Sequence, residues 1–250
     1  MRHDILDKII SCKDNNIKLL AILVDPDRSD DQHLSQLVEK CNQFEIDYFL
    51  VGGSYLSVSN TEKVVKFIKE HSSIPCVLFP GSPQQICASA DAVLLLSLIS
   101  GRNPDLLIGR HVEAAPALRQ SNLEIIPTGY MLIDGGRTTS VSYISNTMPI
   151  PADKPEIAAF TALAGTQLGL RFIYMDAGSG ALYSIPTATI AKVSKLIDVP
   201  LIIGGGIRSK TQLQEAYSAG ADMVVIGNAL EKDIGLLEEL VGCKEAFSQQ

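Results

Sequence analysis

In Leu201-Ile202-Ile203-Gly204-Gly205-Gly206-Ile207-Arg208, a short unbroken apolar run stops at three consecutive glycines. One unit later Met223-Val224-Val225-Ile226 stops in the same way at Gly227-Asn228. Runs of Val, Ile and Leu without polar alternation are what strands buried on both faces look like, and helical stretches between them imply a parallel sheet. Reading outward, six more runs precede these two: Leu19–Val24, Tyr48–Val51, Cys76–Phe79, Val93–Leu96, Leu123–Ile126 and Phe172–Met175. Eight strand–helix units in 250 residues predict a single closed (β/α)8 TIM barrel of the α/β class. An open doubly wound sheet would place its glycine-rich turn after the first strand. Here the first run ends in Asp25-Pro26-Asp27, and the triple glycine follows the seventh.

The connections read as helices at Asp30–Phe44, Thr61–Glu70 and Pro155–Leu168, the last opening with proline and an acid in its first turn. Two connections depart from the pattern. Pro80–Ala92 begins Pro-Gly-Ser-Pro, which predicts a truncated third helix. Asp134–Lys154, rich in Gly, Ser, Thr and Pro, is long enough to be a lid or binding loop. No internal repeat interrupts the series, so residues 1–250 read as one barrel domain.

Hydrophobic residues make up 46% and charged ones 20%, an ordinary globular balance. The net charge of −7, from 21 basic and 28 acidic residues, argues against a nucleic-acid partner. Five widely spaced cysteines without a CxxC pair fit free thiols in a reducing cytoplasm. The N-terminal MRHDILDKII breaks its apolar residues with charges, unlike a signal peptide. Peripheral membrane contact stays open.

Active sites of such barrels lie at the C-terminal ends of the strands, and the loops after strands seven and eight often bind phosphate. Gly205 and Gly206 in one loop and Gly227-Asn228 in the other allow close backbone approach to an anion. Strand six ends Tyr174-Met175-Asp176-Ala177-Gly178-Ser179-Gly180. Alternation puts Tyr174 and Asp176 on one face, where Asp176 could take a proton from a substrate hydroxyl. Strands one and two end at Asp25 and at Gly52-Gly53-Ser54. A carboxylate and a hydroxyl are hard oxygen donors, enough for Mg²⁺ if a substrate diphosphate completes the shell. His3, His33, His71 and His111 fall on presumed helices or their ends and read as surface residues. The late glycine loops alone are also compatible with another phosphate-binding barrel enzyme.

Taken together and in order, Leu23–Asp27, Val51–Ser54, Ile126-Pro127-Thr128-Gly129-Tyr130, Lys154–Ala159, Tyr174–Gly180, Gly204–Arg208 and Gly227-Asn228 resemble the geranylgeranylglyceryl phosphate synthase family, related to heptaprenylglyceryl phosphate synthase. The resemblance covers nearly the whole chain. It implies prenyl transfer from a prenyl diphosphate, most simply geranylgeranyl diphosphate, to the 3-hydroxyl of sn-glycerol 1-phosphate, with Mg²⁺. It also implies a cytoplasmic homo-oligomer, a dimer or hexamer. Carried over by residue, Asp25 and Ser54 match the magnesium positions. Tyr174, Met175, Asp176, Ala177, Gly178, Ser179, Gly180, Gly205, Gly206, Gly227 and Asn228 match the glycerol-phosphate positions. One departure stands out: Asp176 occupies the place where the family's acid is expected to be Glu. The shorter side chain would need a shifted backbone or a water to reach the hydroxyl, and the departure suggests a non-catalytic phosphoglycerol binder as an alternative. Candidate neighbours of the prenyl tail are Phe79, Leu98, Ile99, Tyr130, Leu132 and Ile133, each equally readable as barrel core.

Overall fold

The computed structural model describes residues 4–28, 30–53 and 60–248. Eight parallel strands close into a barrel in sequence order: β1 (Leu19–Val24), β2 (Tyr48–Val51), β3 (Cys76–Leu78), β4 (Ala92–Leu98), β5 (Glu124–Leu132), β6 (Phe172–Asp176), β7 (Leu201–Gly204) and β8 (Met223–Ile226). β8 returns to β1 with Val225 opposite Ala21. The helices are α1 (Asp4–Asp14), α2 (Asp31–Gln43), α3 (Thr61–His71), α4 (Arg110–Gln120), α5 (Ser140–Ser145), α6 (Pro155–Gln167), α7 (Thr187–Ser194), α8 (Lys210–Ser218), α9 (Asn228–Lys232) and α10 (Leu236–Ser248).

Alternation along each strand divides the apolar residues into two layers. Ala21, Tyr48, Leu50, Leu94, Phe172 and Ile202 fill the interior, while Leu20, Ile22, Phe49, Val51, Ile173 and Ile203 pack beneath the helices. Both layers are dry, which is why these runs show no polar alternation in the sequence. α1 closes the N-terminal end, with Ile5, Leu6 and Ile9 joining the interior cluster. The first amides of a helix lack intrahelical partners. Here the buried Glu124 carboxylate at the start of β5 accepts from the amides of Ile5 (2.9 Å) and Leu6 (2.8 Å). Asp47, Asp91 and Asp222 work similarly at this end, each carboxylate accepting from a strand amide, Leu20, Cys76 and Leu201 respectively. The bottom of the barrel is thus built for cohesion and the opposite rim is left for chemistry.

The third helix is indeed truncated: only a 3₁₀ turn, Pro83–Gln85, lies between β3 and β4. β5 differs from expectation. It continues well past Ile126, to Leu132. Pro127, Thr128 and Gly129 break the apolar run, but pairing with β4 from Ala92↔Glu124 to Leu98↔Tyr130, and with β6 on the other side, carries the strand through. The Asp134–Lys154 stretch is also more ordered than a plain loop. It holds α5, whose entry is fixed by the Thr139 amide donating to Ser142 Oγ (3.1 Å), and it is stapled by an Ile133↔Ile150 bridge.

Candidate active site

The parallel barrel puts the ends of all eight strands on one rim, so Asp25 of the first connection and Asp176 of β6 share that end. Register then aligns the pieces: Leu132 opposes Asp176, and Asp176 opposes Gly204. Phe172 and Tyr174 point inward, and Asp176 follows them into the mouth, where it is 8% exposed.

Both carboxylate oxygens of Asp176 are engaged. The Tyr130 hydroxyl donates to Oδ2 at 2.6 Å, and the Gly178 amide donates to Oδ1 at 2.6 Å. Burial pushes this carboxyl above the usual range, and those two donors pull against the shift. Burial, reinforced by the Asp176 charge, holds the Tyr130 phenol well above its ordinary value, so it stays a donor. Tyr130 in turn packs against Tyr174 at 5.6 Å and edge-on to Phe79 at 5.8 Å, and Phe79 stacks on Tyr174 at 5.0 Å. These rings fix the floor beneath the carboxylate. Tyr130 belongs to the site through this hydrogen bond, a role sequence reasoning did not assign. Its inward register opposite Tyr174 was the available signal.

The glycine loops close around the same carboxylate. Gly205 (φ +77°) lies so close that a Cβ there would stand 2.5 Å from Asp176 Oδ1 and 2.8 Å from the amide nitrogens of Ala177 and Gly178. The Ala177 amide donates to Gly204 O at 3.1 Å. Ser179 Oγ donates to Asn228 Oδ1 at 3.2 Å, joining the loop after β6 to the start of α9. Arg208 donates to the Ala181 carbonyl, tying the loops after β6 and β7. The residues expected around glycerol phosphate therefore form one connected arc of three loops. Met175 and Ala177 are the exceptions within it. Their side chains lie in the outer apolar layer, because alternation turns them away from the mouth, so they can offer only main-chain groups.

Across the rim, Asp25 is partly buried. Its Oδ1 accepts from the Asp27 amide (3.0 Å), and Arg28 Nε lies 3.3 Å from Oδ2 while Arg28 Nη1 lies 3.3 Å from Glu231 of α9. Burial raises the Asp25 carboxyl, against the pull of the Asp27 amide and Arg28. No group of three or more His, Cys, Asp or Glu able to hold a metal occurs among the described residues. One carboxylate at a rim is nonetheless the sparse donor set that Mg²⁺ uses when substrate phosphates and water complete its shell. Ser54, the second expected ligand, lies outside the described residues. Gln85 of the 3₁₀ turn locks the ends of β2 and β3 together, donating from Nε2 to Gly53 O (3.0 Å) and accepting at Oε1 from the Gly81 amide (3.2 Å).

The missing third helix leaves a cavity of about 620 Å³, within the usual range for ligand sites. It runs from Tyr130 and Leu98 at the mouth, past Leu94 and Leu96, to Ala114 and Leu118 under α4. Of the tail candidates, Leu98 and Tyr130 line it; Phe79, Ile99, Leu132 and Ile133 do not. Two histidines correct the surface expectation. His33 and His111 are partly buried, and His111 stands in the cavity wall with Nε2 3.0 Å from Ser97 Oγ, because α4 folds back over the gap.

Residues 14–243 match the PcrB family. The chain belongs to the PcrB family. Within it, a geranylgeranylglyceryl phosphate synthase from Spirosoma linguale is 52% identical over 232 residues, 93% of each chain. A protein of the same name from Pyrococcus furiosus is 43% identical over 223 residues, 89% of this chain and 88% of the relative. The crystal structure of (S)-3-O-geranylgeranylglyceryl phosphate synthase from Thermoplasma acidophilum, in complex with sn-glycerol-1-phosphate, matches this PcrB-family barrel with a TM-score of 0.91 at 30% identity, covering 98% of this chain and 99% of that one. A thiamine phosphate pyrophosphorylase from Pyrococcus furiosus matches at a TM-score of 0.55 and 14% identity, a likeness of fold alone.

Proposed function

We propose that this PcrB-family enzyme joins sn-glycerol 1-phosphate to a prenyl diphosphate, geranylgeranyl diphosphate, through an ether bond at the glycerol 3-hydroxyl. The observation that carries this is the junction of two unlike sites at one rim. A glycine-lined polar arc surrounds a buried carboxylate, and an apolar cavity opens directly beside it at Tyr130. That pairing suits one reactant that is small and anionic and another that ends in a long hydrocarbon. The similarity to geranylgeranylglyceryl phosphate synthases supports the same assignment.

In this reading the loops after β6, β7 and β8 bind the glycerol phosphate, with Gly178, Gly180, Gly205, Gly206 and Gly227 admitting it to main-chain amides and Ser179 and Asn228 adding polar contacts. Tyr174 supports Asp176 from below. As the allylic carbon–oxygen bond to diphosphate breaks, the glycerol oxygen forms the new carbon–oxygen bond and its proton passes to Asp176. Asp25 and Ser54 would hold Mg²⁺, which would supply positive charge to stabilise the departing diphosphate. The apolar cavity keeps water from the allylic carbon and takes up the tail, at about 0.8 kcal/mol per buried CH₂.

The assay is direct: labelled sn-glycerol 1-phosphate, Mg²⁺ and prenyl diphosphates of several lengths, with extraction into organic solvent. Labelled organic-soluble product, greatest with geranylgeranyl diphosphate, is expected; label that stays in water with every donor would refute the assignment. Chelation with EDTA should stop turnover. Asp25→Asn should need about tenfold more Mg²⁺ for half-maximal rate, one ligand's contribution. Full turnover of the parent in EDTA would remove the metal from the reaction.

Tyr130→Phe removes a donor from the Asp176 carboxylate, so the carboxyl should rise further and the acid side of the kcat–pH profile should move to higher pH. Near neutrality we expect about a tenfold loss, roughly the 1.5 kcal/mol of one charged hydrogen bond, with recovery towards parental rates in alkali. A uniform loss at all pH values would mean that Tyr130 only shapes the cavity.

We also infer a homo-oligomer. α6 exposes Ile157 and Phe160 on its outer face, with Leu168 just beyond its end, although its inner face is already packed. A helix apolar on both sides is one that is covered. Light scattering that gives a monomeric mass would dismiss this.

A further inference from the structure

We propose that the β4–β6 flank of the rim docks the enzyme on a lipid bilayer through apolar contact, with the cavity mouth facing the membrane. This rests on the reading of the cavity as a prenyl-tail site. Ile108, Val112, Tyr143, Ile144, Met148 and Tyr183 are all exposed, Met148 at 86% and Tyr143 at 79%. They come from three successive loops and their helices, and the loops are stitched together. Asn103 Nδ2 donates to Ser145 O at 2.9 Å, and the amide of Tyr183 donates to Gly135 O at 3.1 Å. Large apolar side chains gathered on one flank mark an interaction site rather than ordinary surface. Tyrosine is well suited to the boundary between headgroups and acyl chains.

Two observations select a bilayer as the occupant. The patch is continuous with the cavity, since Ile144 is exposed and also lines it beside Val141 and Ser145. A tail leaving the cavity would therefore emerge among the apolar residues and not into water. The charge around the rim is also divided. On this flank Arg102, Arg110 and Arg137 balance Asp105, Glu113 and Asp134. On the β1–β8 side Asp25, Asp27, Asp30, Asp31, Glu231 and Asp233 outnumber Arg28, Lys63 and Lys232, with Lys63 paired to Asp31 at 2.6 Å, in a chain of net charge −7. The neutral apolar flank is the part of the rim that a membrane surface would not repel, and the acidic side would tilt away from anionic headgroups. No helix among the described residues is long and apolar enough to cross a membrane, so the contact is peripheral.

The test is partition of the full-length protein onto phosphatidylcholine vesicles, without substrate, read by sedimentation. Binding is expected, no tighter when phosphatidylglycerol is added, and reduced at least about tenfold by Tyr143→Ser with Met148→Ser, neither of which lines the cavity. The chain has no tryptophan, so Tyr143→Trp gives a single reporter whose emission should shift to the blue on vesicle addition. Failure to sediment with vesicles, or unchanged partition of the double variant, would overturn the proposal. So would much tighter binding to anionic vesicles. A fall in molecular mass in the double variant with unchanged partition would make the flank a contact between copies instead. Because partition is measured without substrate, vesicle binding with no prenyl transfer would refute the reaction and leave docking standing; transfer without vesicle binding would do the reverse.

Discussion

Replacing Asp176 by asparagine is expected to lower turnover by about 10²–10⁴-fold, the usual contribution of a positioned general base, while raising the thermal midpoint. Asparagine is nearly isosteric. Its carbonyl can still accept from the Gly178 amide, and its amide can meet the Tyr130 oxygen, so glycerol-phosphate affinity should stay close to the parent's. The stability gain follows from the direction of the pKa shift. Burial raises the Asp176 carboxyl in the folded chain above its unfolded value, so the native state binds the proton more tightly. Stability then falls as pH rises through the window between the unfolded and folded pKa values, and above the folded value the fold carries the full cost of a buried charge. Asparagine removes that cost. Calorimetry across pH should show the advantage of the variant shrinking in acid, as the parent's carboxyl becomes protonated. Near-parental turnover in single-turnover kinetics would take Asp176 out of the proton-transfer role. An unchanged midpoint would mean that Tyr130 and Gly178 fully offset the burial.

Gly205→Ala is expected to damage both stability and catalysis. The positive φ of +77° places Gly205 in the left-handed region, which costs an L-residue about 1–2 kcal/mol. For a chain of this size that is a fall of about 2–8 °C in the thermal midpoint. The methyl would also meet Asp176 Oδ1 at 2.5 Å and the backbone of Ala177 and Gly178 at 2.8 Å. Either the carboxylate rotates away from Tyr130 or the loop after β6 withdraws, and both displace the carboxylate proposed as proton acceptor. We therefore expect turnover to fall at least about tenfold, since small misplacements of a catalytic group are costly. Gly169→Ala is the control. Its φ is +90°, nothing lies within 4 Å of the added methyl, and it sits between α6 and β6, away from the rim. It should lose stability alone and keep parental turnover. If both variants keep full turnover, the close approach of Gly205 to Asp176 does not matter for the chemistry.

The parts of this molecule that could be read in the linear chain are those whose physics is local or periodic. Strands dry on both faces must be continuously apolar, so seven of the eight runs lie close to the observed strands. Pro80–Ala92 cannot form a full helix because Pro-Gly-Ser-Pro opens it. Asp176 faces the mouth because it stands two residues from Tyr174 on the same strand. The far end of β5 escaped this reading. Pro127, Thr128 and Gly129 have poor strand character, and only the ladders supplied by β4 and β6 on either side hold them extended.

The barrel, the functional end of its strands, and the order in which the glycine loops and acids arrive there are legible in the linear chain. All of these follow from side-chain period, turn residues and chain direction. The tertiary structure alone decided which groups touch. Tyr130 is 46 positions from Asp176 and is brought to its carboxylate only by the register of β5 on β6. Gly205 presses on the same oxygen only because β7 lies beside β6. Likewise, the loss of one short helix opens the apolar cavity, but its extent depends on how α4 and α5 fold over the gap. Contacts between distant segments are set by closure of the barrel, and closure is a property of all eight strands together.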